Sequence, residues 1–348
     1  MSDSLGTLEE LPSDYRAAMA SAGVAPLWPS MRVMLPHGAP VSTTQAHHWA
    51  FGALRPLLVR AGELTPVEKA ERRVLVLCDP GRNGTLQTTA SIYCGMQLLL
   101  PGESAPAHRH TPSAARIVVE GEGAYTIVNG DKCRMERGDL ILTPGGMWHD
   151  HGHDGDGPVI WLDALDLPVL VGLEGSYAEE GPLQPARNRP DASAVEYSQP
   201  GLVPHRPPGA ARPRFPMLRY PWRNTESALR AIAAHAGKTE LVALDYVNLE
   251  TGDSCLNVLG FTAMMIRPGE TVRLPTRSIS SVFHVVGGAG RATVNSAGFN
   301  WDTRDSFSAP VFSTIDITAS GQEPAFLIRI HDGPLQGKLG YYEERGRA

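Results

Sequence analysis

Two stretches of the chain carry the same spacing of turn residues, and that repeat constrains the fold more than any other feature. Pro101-Gly102-Glu103 recurs as Pro268-Gly269-Glu270. Gly102 to Gly121 is 19 residues, as is Gly269 to Gly288; Gly121 to Pro144 is 23 and Gly288 to Pro310 is 22. The first stretch is a series of short β-rich runs, at 74–78, 91–100, 116–121, 124–130 and 140–145, punctuated by Asn-Gly and Pro-Gly. Short strands at regular spacing argue for an antiparallel sandwich or barrel rather than a βαβ sheet. A diverged duplication of one β unit explains the shared numbers; chance recurrence of common turn strings is the competing explanation.

The flanks read differently. Residues 12–70 read as mostly helical, with Ser13 capping a helix through Ala20 and Thr65-Pro66-Val67-Glu68 as a capping box. Residues 182–216 hold nine prolines in 35 residues and read as an extended surface linker, neither helix nor central strand. A short helix follows, capped by Asn224 and stopped at Gly237, before the second β region from Leu241 to Ile330. The expected division is a helical arm (1–70), a first β unit (71–181), the linker (182–216) and a second β unit (217–348). With 31 Lys+Arg against 37 Asp+Glu, the chain lacks the basic footprint of a nucleic-acid binder. No apolar run spans a bilayer, the first residues resemble neither a signal nor a transit peptide, and the four cysteines form no CxxC pair. The expectation is a cytoplasmic protein with free thiols, binding neither nucleic acid nor membrane.

Five of the twelve histidines lie between 108 and 153. His108 and His110 are two apart, so on a strand both imidazoles face one side. His149, 39 residues later, is positioned as a third ligand. Three neutral imidazoles suit Fe(II), Zn, Cu or Ni and leave coordination positions open. The alternative is a chance cluster of surface histidines. The spacing Gly102-x5-His108-x-His110, then Gly121, then Gly138-x5-Pro144-x-Gly146-x2-His149 resembles the two-part cupin signature. Many cupins add a Glu ligand after HxH; residues 111–115 hold no carboxylate, so the site is three-His, open to a bidentate anion plus O2. In the second unit Pro275 and Arg277 stand at the HxH positions and 311–315 offers no ligand, so it reads as metal-free, with His284 a packed or surface histidine.

The residues then carry a closer resemblance. Ala25-Pro26-Leu27-Trp28, Arg55-Pro56-Leu57-Leu58, Ala70-Glu71-Arg72-Arg73, Gly95-Met96-Gln97, Ala115-Arg116, Trp148-His149-Asp150-His151 and Trp161-Leu162-Asp163-Ala164-Leu165-Asp166 are similar to the bicupin gentisate 1,2-dioxygenase family, which includes salicylate and 1-hydroxy-2-naphthoate dioxygenases. The resemblance implies an all-β-dominated bicupin, two jelly-roll barrels with an N-terminal helical segment. It implies an Fe(II) enzyme, a homotetramer, that opens a 2-hydroxybenzoate between the carboxyl- and hydroxyl-bearing carbons with O2. Supported by that resemblance, Arg116 is expected to hold a carboxylate or oxygen, Gln97 to bond substrate, His151 to take the phenolic proton, and Asp163 to orient a neighbour. Arg72, Arg73, Tyr93, Gly95 and Trp148 complete the expected substrate contacts.

The family often has Leu where this chain has Ala115, and Gly where it has Ala164. The smaller residue beside Arg116 is expected to admit a 5-substituent, making 5-nitro-, 5-halo- or 5-aminosalicylate candidates beside gentisate; Cys94 reads as either a pocket residue or a buried filler. Three other readings compete: a 1-hydroxy-2-naphthoate dioxygenase, a cupin using its metal only as a Lewis acid, and a non-catalytic small-molecule-binding bicupin. O2 consumption separates the oxygenases from the other two.

Overall fold

The computed structural model describes residues 5–182, 190–238 and 240–346. The chain divides into two compact units, Met1–Thr43 and Thr44–Ala348. The first holds a helix at Ser13–Ser21 and a short one at Met31–Met34. Ser13 is the first helical residue there and makes no side-chain cap; Pro12 precedes it in extended conformation. The expected 1–70 arm spans the division, because the Phe51–Leu64 helix packs on the first barrel's strands Arg73–Val76 and Tyr93–Leu99.

The second unit is two antiparallel barrels. In the first, a six-stranded sheet runs Arg219–Tyr220, Leu140–Thr143, Ala114–Glu120, Val159–Leu165, Tyr93–Leu99, Arg73–Val76. Facing it is a five-stranded sheet: Ala178–Glu180, Ser104–His110, His149–His153, Ala124–Val128, Asp131–Arg134. The second barrel repeats this plan, with six strands centred on Ser281–Gly287 and Ala325–His331, and four centred on Ile315–Ser320 and Ala289–Val294. The repeated glycines supply matching turns: Gly121 and Gly288 adopt φ of 91° and 95°, a region that favours glycine. A Cβ on Gly121 would lie 2.3 Å from the Pro158 carbonyl oxygen.

Each barrel borrows an edge strand. His48–Trp49, from the region expected to be helical, pairs with Ser306–Ala309 of the second barrel. Arg219–Tyr220, from beyond the Pro-rich segment, pairs with Leu140–Thr143 of the first. These additions cover sheet edges that would otherwise expose unpaired backbone groups. The Pro-rich segment is not wholly extended. Its proline-free window forms a helix, Ala192–Glu196, whose first amides donate to the Asp131 carboxylate. The remainder of that expectation at 183–189 lies outside the described residues. The next helix, Trp222–Ala233, starts before Asn224 because the Trp222 amide donates to Asp139 (2.8 Å). It ends at Ala233, ahead of the expected stop at Gly237. Val67–Ala70 forms without a side-chain cap, so the Thr65 capping box is not made.

Side chains alternate across each strand, and the two faces have different fates. Cys94, Met96, Ala115, Ile117, Leu162 and Ala164 leave the first barrel and pack against Phe261, Met265, Ile328 and others of the second in one continuous core. Ala115, Ala164 and Cys94 are therefore interface residues, not pocket residues. The space argued for a 5-substituent does not arise from Ala115. The second barrel's own interior is filled by Met264, Phe283, Trp301, Phe307 and their neighbours. Truncating Phe261, 1% exposed in the shared core, leaves a cavity between the barrels. Phe261→Ala is expected to cost about 3–5 kcal/mol in urea unfolding, with both barrels melting in one transition; separate transitions would show that the shared core does not couple them.

Candidate metal centre

The interior face of the first barrel carries the chemistry. His108 and His110 alternate with outward Arg109 on the Ser104–His110 strand, and His149 sits directly across from His108 in the ladder. The ligand nitrogens of His108, His110 and His149 lie within 4.8 Å of one another, and all three side chains are buried. They form the one such cluster among the described residues.

Backbone carbonyls fix how these rings point. His108 Nδ1 lies 2.7 Å from Pro106 O, His110 Nδ1 2.6 Å from Pro112 O, and His149 Nδ1 2.9 Å from Met147 O. A carbonyl only accepts, so each Nδ1 carries the hydrogen and each Nε2 keeps its lone pair. The Nε2 atoms of His108 and His149 are buried without any hydrogen-bond partner. Buried polar atoms left unpaired are costly, and converging lone pairs without donors are what a divalent cation requires. The residues fit a three-imidazole metal ion. Burial keeps the rings neutral, lowering the pKa of His108 to about 3 and of His110 to about 4.

Around this triad stand four of the expected residues. Arg116 is buried, its Nη1 donating to Thr143 Oγ1 (2.8 Å) and its Nε 3.1 Å from Asp163 Oδ1, an ion pair too oblique for a hydrogen bond. Asp163 also accepts from Trp161 Nε1 (3.1 Å). His151 Nδ1 is 2.8 Å from Thr126 Oγ1, whose hydroxyl contacts Met135 Sδ, and its Nε2 is buried without a partner. Gln97 is buried on the same face, opposite Trp161. Burial and the Arg116 charge hold His151 well below the ordinary imidazole value, so it is neutral, with a lone pair able to accept a hydrogen bond.

Arg72 and Arg73 part company. Val74 pairs with Gln97, which puts even-numbered residues of this edge on the interior face. The Arg72 charge acts on Asp163, Tyr93, His108 and His110, and Arg72 lines a 150 Å³ cavity that reaches His108. Arg73 is a correction: it points the other way, donates to the Gly62 and Thr65 carbonyls and pairs with Glu103. Gly95 leaves room for its neighbours, since a Cβ there would lie 2.4 Å from Val74 Cγ1 and 3.1 Å from Tyr93 Oη. Trp148 is a second correction. It lies beneath the Arg109 guanidinium (5.0 Å), on the outer face, with Gly181 packed on its ring. His153 bonds Gly157 O and accepts from the Gly155 amide, outside the triad.

Asp166 is a positioning residue that the motif held unassigned. Its carboxylate accepts the Ser113 amide at 2.7 Å, fixing the turn whose Pro112 carbonyl orients His110. The signal was the second aspartate of the 161–166 run. In the second barrel the cross-strand pair at the His108–His149 location is Leu274–Ile315, one residue from the Pro275 matched by spacing. The difference is a bulge between Ala105 and His108 that the second barrel lacks.

Residues 95–165 match the Cupin domain family. The chain is 49% identical to a gentisate 1,2-dioxygenase of Ralstonia sp, covering 99% of this chain and 98% of that one. The chain belongs to the gentisate and salicylate 1,2-dioxygenase family. It is 33% identical to a 5-aminosalicylate 1,2-dioxygenase of Comamonas sp over 95% of this chain and 89% of that one. The structure of salicylate 1,2-dioxygenase from Pseudoaminobacter salicylatoxidans, solved as adducts with gentisate, superposes with a TM-score of 0.87. It shares 31% identity, covering 98% of this chain and 96% of that one. The family resemblance and bicupin architecture expected from the motifs therefore hold.

The depressed imidazoles give the metal-free protein a defined acid response. In the unfolded chain they titrate near 6.5; folded, His108 and His110 titrate near 3 and 4. Between these values the unfolded chain binds more protons, so stability is complete above about 6.5 and falls as pH drops toward about 3. Chelator-treated protein should lose Tm across this window, and His108→Gln should flatten the slope. An unchanged slope would place its origin elsewhere.

Proposed function

We propose that the protein is an Fe(II)-dependent dioxygenase that opens the ring of a 2-hydroxybenzoate between its carboxyl- and hydroxyl-bearing carbons, with gentisate and 5-substituted salicylates as substrates. Both atoms of O2 are retained in a ring-opened dicarboxylic acid. The observation that carries this reading is the triad of Nε2 lone pairs converging beside a buried arginine. Among the described residues no fourth protein ligand completes the set, which leaves positions for a bidentate anion and O2. Iron(II), when bound by His108, His110 and His149, supplies the one-electron exchange that lets O2 react with an aromatic ring.

The chain's own groups do the rest. Arg116, oriented by Asp163 and Thr143, holds a carboxylate or developing negative charge on oxygen in a water-poor interior. His151 Nε2 accepts a hydrogen bond from the phenolic hydroxyl, its Nδ1 held by Thr126. Gln97 offers its amide from the neighbouring strand, and Arg72 places a second positive charge at the mouth. Tyr93 and Gly95 line the ring's side of the site.

In this reading 71–181 is the catalytic cupin, 182–216 the linker and 217–348 the metal-free cupin, following a 1–70 arm. The family resemblance supports a homotetramer, and the exposed Val33, Met34, Leu35 and Val41 of the N-terminal unit support self-association. No helix among the described residues is long and apolar enough to cross a membrane. The unpaired Cys78, Cys94, Cys133 and Cys255 support a reducing, cytoplasmic setting.

Oxygen uptake by iron-loaded protein tests the function. With gentisate, one O2 should be consumed for each ring lost from the ultraviolet spectrum, and the order among gentisate, salicylate and 5-aminosalicylate names the preferred 5-substituent. No uptake with any of them, in protein shown to hold iron, would overturn the proposal. Replacing Arg116 by Met should lower kcat/KM by about 100-fold or more while iron content stays unchanged.

A further inference from the structure

The structure also holds a 410 Å³ cavity between the first barrel and the Pro-rich segment, beside the strand residue that pairs with His149. Its size falls within the roughly 300–1,000 Å³ range of small-molecule sites. One wall belongs to the catalytic barrel and includes Val128 and Met147; the other comes from the Pro-rich segment and includes Tyr197, Arg206, Arg212 and Phe215. The lining has two parts. Val128, Met147, Phe215 and Leu218 belong to one apolar cluster, while Arg206 and Arg212 gather on Glu250.

The two guanidiniums share a single carboxylate. Arg206 Nε donates to Glu250 Oε1 (3.2 Å) and its Nη2 to Tyr197 Oη (3.0 Å). Arg212 Nη1 donates to the Glu250 carbonyl (2.8 Å) and lies 3.8 Å from Glu250 Oε2. Within this trio of side chains one positive charge is left over, and Arg206 Nη1 and the Nε and Nη2 of Arg212 make no protein hydrogen bond among the described residues. Asp131 and Glu196 also line the cavity as carboxylates, but away from this trio: Asp131 accepts the Ala192 and Ser193 amides and Glu196 is solvent-exposed. An apolar cluster together with surplus guanidinium donors matches an amphipathic carboxylate, and a planar aromatic acid most closely.

We propose that this cavity is a second, non-catalytic site for aromatic carboxylates, with the carboxylate on Arg206 and Arg212 and the ring over Phe215 and Met147. It adjoins the metal centre through two backbone links. The Met147 carbonyl orients His149, and Val128 faces His149 in the strand ladder. An occupant therefore presses on the segment that aims the third ligand.

Benzoate is a suitable probe because it lacks the ortho hydroxyl needed to chelate metal. Calorimetric titration of benzoate into iron-loaded full-length protein should show binding that persists in Arg116→Met, whose ring-cleavage site has lost its carboxylate partner. Binding should weaken by about tenfold or more in Ala211→Phe, which fills the cavity, and in Arg212→Gln, a substitution at an exposed side chain that the fold tolerates. Loss of binding in Arg116→Met with retention in both cavity variants would assign benzoate to the catalytic barrel and overturn the proposal. So would the absence of any binding to the parent protein at millimolar benzoate.

Discussion

The site depends on three hydrogen bonds from imidazole Nδ1–H to backbone carbonyls two residues away in sequence. Pro106, Pro112 and Met147 each accept one of them. Each bond selects a tautomer, sets a ring plane and leaves an Nε2 lone pair facing the barrel interior. Because the acceptors are backbone, the geometry rests on turns rather than on further side chains. The residues beyond the ligands serve those turns: Asp166 grips Ser113, and Ser113 Oγ in turn accepts the Gly145 amide. Three buried imidazoles without counter-charge are stable here because they stay neutral, and their neutrality is what a divalent metal needs.

The second barrel shows what the same scaffold does without ligands. Where the first barrel has His108 opposite His149, it has Leu274 opposite Ile315. Where the first has Arg116 opposite Asp163, it has Phe283 opposite Arg329. Its interior is closed by aromatic stacking of Phe283 on Phe307. Its remaining contribution to the site is mechanical. Asp332 accepts from Ser91 (2.5 Å) and Ser280, fixing the loop that leads into Tyr93, Gly95 and Gln97. The large shared core then holds the two barrels in one register.

Much of this was legible in the sequence because turns and ligands leave period-specific marks. The HxH pair, the glycines at fixed distances and the second histidine motif mark the triad by their spacing, and their resemblance to the cupin signature implies the barrel. The interior placement of His151 follows from strand alternation with His149, whereas that of Gln97, Arg116 and Asp163, on the facing sheet, was implied by the family resemblance. What was not legible depended on which face of an edge strand turns inward. Arg72 and Arg73 are chemically alike, and only pairing of Val74 with Gln97 separates them. Ala115 sits beside Arg116 in sequence yet on the opposite face, so adjacency suggested a pocket where the structure has an interface. Trp148 likewise neighbours a ligand but turns outward to Arg109. The borrowed edge strands, His48–Trp49 and Arg219–Tyr220, are two residues long and carry no periodic signal.

The most direct test of this account is a crystal structure of the iron-loaded protein with anomalous scattering recorded at the iron edge. A single iron peak bonded to Nε2 of His108, His110 and His149, with all three Nδ1 atoms still on their carbonyls, is the predicted result. Iron bound through an Nδ1 atom, or held elsewhere in the chain, would contradict it.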